Sequence, residues 1–163
     1  MRQIVERMSG GWLKIHTPAY NDQTREKNYP GDTDDALIQR VINRHEISDY
    51  FIIDDATPAV DAFLRNRDFR DAWEAPTDEL AVNMAKARAI HLAEIRRVRN
   101  EELAKEDINL MIANESGTSS EQDAVKAKKQ TLRDLPATFD ITTGVDTPVK
   151  LKAKWPSDLP ARE

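Results

Sequence analysis

Two short runs, residues 2–8 and 12–16, flank Gly10-Gly11, and the second of them, Trp12-Leu13-Lys14-Ile15-His16, alternates weakly between apolar and polar positions. A Gly-Gly pair between such runs predicts a β-hairpin. From Thr17 to Gly31 the chain is polar and turn-rich, with Pro18, Asn21, Asp22, Asn28 and Pro30, which predicts an exposed loop. Asp32 or Thr33 then caps a helix whose first turn carries Asp34 and Asp35. Leu37, Ile38, Val41, Ile42 and His45 recur on one face of that helix. The run from Asp49 to Asp54 is apolar between polar ends and predicts a buried strand. Thr57-Pro58 through Asp68 is expected to be irregular with a helical turn.

The pattern changes after Pro76. Thr77 or Asp78 caps a helix from about Glu79 to at least Leu103, with Leu80, Met84, Ala87, His91, Ile95 and Val98 on one face. Helical spacing continues through Ile108, Leu110, Met111 and Ile112, with room for a kink near Asp107, and stops at Gly117. Ser119 or Ser120 starts a further helix to about Asp134, ended by Pro136. So short a link makes the two helices antiparallel. Residues 137–163 are expected to be mostly extended, with one or two helical turns after Thr147-Pro148 and before Trp155-Pro156. The expected fold class is therefore α+β. A small docking domain over residues 1–76 (β-hairpin, helix, strand) precedes a long antiparallel helical hairpin over 77–136 and an extended tail over 137–163.

Composition narrows what such a chain does. Its 163 residues bury a core without a staple, and the absence of cysteine removes disulfides, thiolate metal sites and a cysteine nucleophile. With 33% charged, 39% hydrophobic and only 6% aromatic residues, the surface is wet and the core modest. The balance of 24 basic against 29 acidic residues gives a weakly acidic field, which makes nucleic acid an unlikely partner. No apolar run approaches the ~20 residues of a membrane span. The charged opening, Met1 to Arg7, has no apolar stretch of the signal-peptide kind, so synthesis in the cytoplasm is expected.

Candidate chemistry is sparse. His16, His45 and His91 sit on three separate elements without metal-ligand spacing, and His91 reads as a core histidine bonded to a backbone carbonyl. Asp34/Asp35 and Asp54/Asp55 are neighbours that read as a helix start and a strand end rather than as an acid–base pair across a cleft. Gly10-Gly11 lacks phosphate-loop spacing. Lys86, Arg88, Arg96, Arg97 and Arg99, with Lys126, Lys128, Lys129 and Arg133, read as solvated helix faces; the alternative is a positive surface for an acidic protein or nucleic acid. Trp12, Trp73 and Trp155 are each either core or interface anchors. No catalytic residue, cofactor or metal is expected, and the chain reads as a non-enzymatic binding protein.

The stretch Arg67-Asp68-Phe69-Arg70-Asp71-Ala72-Trp73-Glu74 resembles the R-x-F-R-x-A-W element of small proteins encoded beside tail-fibre genes in tailed phages and prophages. In the same order follow Asn83 to His91, Ile95-Arg96-Arg97-Val98-Arg99, Leu103 to Ile108, Lys129 to Pro136 and Leu151-Lys152-Ala153-Lys154-Trp155-Pro156, so the resemblance spans about residues 54–160. It implies a virion protein of the tail tip, baseplate or fibre attachment, present in several copies and bound to tail or tail-fibre proteins. A fibre-assembly chaperone that leaves the finished particle is the near alternative, and a nucleic-acid-binding regulator using the basic hairpin the distant one. The expected anchors are Phe69, Trp73 and Trp155, oriented by Arg67 and Arg70. The N-terminal unit and the Arg67–Trp73 segment are expected to grip one tail protein, and the hairpin and Trp155 a second chain or a second copy.

Overall fold

The computed structural model describes residues 1–20 and 27–162; Asn21 and Asp22 of the expected loop, and Glu163 of the tail, lie outside them. The fold is α+β, and the chain divides into two compact units, Met1–Asn83 and Met84–Glu163.

In the first unit, β1 (Arg2–Arg7) and β2 (Leu13–His16) form the hairpin around Gly10-Gly11, where Gly11 takes the positive φ of 75° that a side chain would resist. On its other edge β1 pairs antiparallel with β3 (Tyr50–Asp54), giving the order β2-β1-β3. Successive strand residues point to opposite faces, and β1 is buried on both. Ile4 packs with Ile38, Ile42 and Ile47, whereas Val5 packs with Phe51, Ile53 and Ala75. The first cluster draws on α1 (Asp34–Arg44), whose N-cap is Thr33; the Ala36 N–H donates to Thr33 Oγ1 at 3.2 Å.

Residues expected to be irregular form a helix, α2 (Pro58–Arg65). Proline at its start costs nothing, because that N–H has no partner within a helix, and Asp61 pairs with Arg65 one turn on. A second difference concerns Leu80. It lies outside the long helix, because β4 (Trp73–Glu74) and β5 (Ala81–Val82) pair as a small hairpin, with Trp73 opposite Val82. Arg7 ties this hairpin to the sheet. Its guanidinium donates to the Ala75 carbonyl at 3.2 Å, to the Thr77 carbonyl at 3.1 Å and to Asp49 at 2.8 Å, pairs with Asp78, and lies 4.8 Å from the centre of the Phe51 ring.

The second unit is built on α3 (Met84–Ser116) and α4 (Ser119–Thr138), which pack against each other as an antiparallel hairpin. α3 starts at Met84 rather than Glu79 and runs unbroken past Asp107. Gly117 makes the turn, where an added Cβ would lie 2.7 Å from the Ala113 carbonyl oxygen. Thr118 then opens α4 with a capping box: the Glu121 N–H donates to Thr118 Oγ1 at 3.3 Å, and the Thr118 N–H to Glu121 at 2.6 Å. Pro136 does not end α4. Proline removes only the bond to the Leu132 carbonyl, while the Phe139 N–H still reaches the Leu135 carbonyl at 2.9 Å and the Thr138 hydroxyl donates to the Asp134 carbonyl at 3.2 Å.

Beyond α4 the chain has little regular structure apart from α5 (Pro148–Ala153), capped by Thr147 as the sequence predicts, and α5 packs on α3. Ile141, Val145, Leu151 and Leu159 are all buried, so this segment belongs to the core of its unit.

Candidate protein-docking surface

The expected anchors distribute unevenly. Phe69 and Trp73 are buried, 2% and 6% exposed, and the Trp73 ring packs 4.9 Å from the Phe63 ring. The R-x-F-R-x-A-W element makes a 3₁₀ turn over Arg70–Ala72 that swings Phe69, Ala72 and Trp73 inward and leaves Arg67 and Arg70 at the surface. Phe69 and Trp73 therefore hold the first unit together and are not available to a partner in this conformation. Trp155 is half-buried. Its Nε1–H donates to the Pro160 carbonyl at 2.8 Å and its ring meets the His91 ring edge-on at 5.7 Å, so it too serves its own unit. Trp12, by contrast, is 52% exposed.

The histidines also sort themselves. His91 is fully buried and donates Nε2–H to the Lys154 carbonyl at 2.7 Å, the core role that its place on the apolar stripe predicts. Burial pushes its pKa down. His16 bonds Glu6 at 2.8 Å, and its ring lies 5.1 Å from that of His45, so two histidines from separate elements do meet. They border a cleft of about 500 Å³ beside α1, with Tyr29, Arg40 and Arg44 on its wall. Among the described residues, no three His, Asp or Glu side chains converge to hold a metal ion.

Several basic residues of the hairpin are neutralised at close range. Arg97 bridges Glu94 and Glu101, Lys105 holds Glu102, and Lys126 holds Asp123. Lys128 reaches Glu106 at 2.6 Å, and Lys129 pairs with Asp107. These last two pairs lie between the helices: Glu106 and Lys129 are buried while their partners are exposed. Lys128 holds the Glu106 carboxyl below the usual carboxylate range.

Ion pairs inside the hairpin have a counterpart outside it. Ile108, Met111 and Ile112 are 59%, 64% and 56% exposed. They stand at i, i+3 and i+4, so they form one patch on the outer face of α3. At ~100° per residue, Ile108 lies about 140° around the helix from the buried Ile95. The distal half of the hairpin thus carries charge within and hydrocarbon without. An apolar stripe facing solvent departs from the usual helix pattern, in which hydrophobic residues face the core and charged ones the water.

No protein-family model matches the chain, and neither a curated protein nor a solved structure shows significant similarity to it. Among the described residues, no helix is long and apolar enough to cross a membrane.

Proposed function

We propose that the chain is a non-enzymatic docking protein of a phage tail, placed at the tail tip, baseplate or fibre attachment, and that it acts by binding tail or tail-fibre proteins. The ordered motifs between residues 54 and 160 support the phage setting. One observation carries the docking role: the apolar stripe Ile108, Met111 and Ile112, turned away from the hairpin that should have buried it.

A long antiparallel hairpin is suited to this work. It is rigid along its axis, it presents one broad face, and it requires no reactive pocket. Burying an apolar stripe on a partner gains about 25 cal/mol for each Å² removed from water. The ion pairs between the helices hold them in register and leave that stripe to the partner. Anchoring passes from Phe69, Trp73 and Trp155, which the fold consumes, to the distal third of α3.

Mass spectrometry of purified particles tests the reading. The chain is expected in the finished tail at a fixed ratio to its neighbours. Its presence during assembly and absence from finished particles would shift the role to that of a fibre-assembly chaperone. Particles that assemble normally around a chain carrying Ile108→Glu and Ile112→Glu would remove the hairpin from the docking role.

A further inference from the structure

We infer that the occupant of the stripe is a second copy of the same chain, laid antiparallel along α3 across a two-fold axis near residue 110. This rests on the reading of the distal hairpin as the docking element and names what it docks to.

The order of side chains along the outer face is the reason. From one end to the other run Lys105, Ile108, Met111, Ile112 and Glu115. A two-fold axis at residue 110 sets Ile108 of one copy level with Ile112 of the other, and Lys105 level with Glu115 of the second copy. The face is therefore complementary to itself in charge and sets apolar residues against apolar ones, as an isologous interface requires. Arranged parallel instead, two copies would set Lys105 beside Lys105 and Glu115 beside Glu115. In the single chain Lys105 pairs with Glu102 at 2.6 Å while the lysine side chain itself stays largely in solvent, where such a pair is weak enough to be shared. Just beyond Lys105, Ala104 is also exposed, so a neighbouring helix can approach closely there.

Size sets the strength. The stripe from Lys105 to Glu115 is about 15 Å long, well short of the ~800 Å² per partner of a standard interface. The pairing is accordingly reversible in dilute solution. It becomes effective where an assembly holds the two copies close together.

Sedimentation of the full chain over a concentration series from micromolar to submillimolar tests this, with circular dichroism as the check on folding. The native chain is expected to pass from monomer to dimer. Ile108→Glu with Ile112→Glu is expected to abolish the dimer while the helical signal is unchanged. Lys105→Glu alone, or Glu115→Lys alone, is expected to weaken it roughly tenfold, and the two reversals together to restore it. A native chain that stays monomeric throughout overturns the inference, as does a dimer indifferent to these changes. Should the native chain stay monomeric while the Ile108→Glu/Ile112→Glu chain is lost from purified particles, the docking role stands and the second copy falls as its occupant. Should neither dimer nor particle loss be seen, both fall.

Discussion

The two halves of α3 use the same kinds of residue in opposite places. Near its start, Ala87, His91 and Ile95 are buried in the second unit, and Arg88 donates to the Val145 carbonyl at 2.8 Å. Toward its end, the buried positions are Glu106 and Ala113, and the large apolar residues stand in solvent. One half builds a core and the other keeps only a seam. Each seam pair joins one buried and one exposed partner; it contributes little net stability, because removing the buried charge from water costs about as much as the attraction returns, but it sets which residues face each other. The distal hairpin is thus aligned by its charges while its hydrocarbon stays free to be buried elsewhere.

That contrast can be broken most severely at Ile95. Replacing it with alanine should cost about 2–5 kcal/mol, measured by urea unfolding, since its side chain is wholly enclosed. Next in size is the seam. Glu106→Leu together with Lys129→Leu removes the buried member of each pair and leaves its partner, Lys128 or Asp107, in solvent, so stability should be unchanged or rise by about 1–4 kcal/mol; a large loss would mean that the distal pairs are a stability device after all. A smaller effect is expected in acid. His91 has a lowered pKa when folded, so below the ordinary histidine value of ~6.5 the unfolded chain takes up a proton that the folded chain resists. Stability is therefore present above that pH and falls as pH drops through it. Thermal unfolding at neutral and mildly acidic pH should show the slope, and His91→Gln should flatten it. Smallest of all is Ile108→Ala, expected within about 0.5 kcal/mol of the native chain in dilute solution. It makes the same chemical change as Ile95→Ala on the same helix, and the gap between the two measures the difference between core and exposed stripe.

Much of the architecture was legible because its signals are local. Gly10-Gly11, the cap at Thr33, Gly117 and the Thr147-Pro148 pair each mark their own boundary. Leu80 was misplaced onto the long helix because it leads into Ala81–Val82, whose pairing with Trp73–Glu74 no helical spacing reveals. The stretch from Thr57-Pro58 to Asp68 was read as irregular with a helical turn and Pro136 as a helix end, whereas Pro58 sits where proline is harmless and Pro136 removes a single bond near a helix end. Aromatic content pointed to Phe69, Trp73 and Trp155 as anchors, but in a chain this poor in aromatics the core claims them first. The stripe itself was within reach. Ile108, Met111 and Ile112 follow helical spacing among themselves, yet they are out of phase with Ala87, His91 and Ile95, and that change of phase is the sign of a second apolar face. The meeting of His16 with His45 had no such signal, since it depends on how β2 and α1 approach each other.

The double burial of β1 has a consequence for how the first unit opens. Ile4 and Val5 are neighbours in the chain, yet each closes a different half of the interior. Neither half can loosen without pulling on the strand that seals the other. Amide protons along this strand should accordingly be among the last in their unit to exchange with solvent, and the two halves should come apart as one cooperative block.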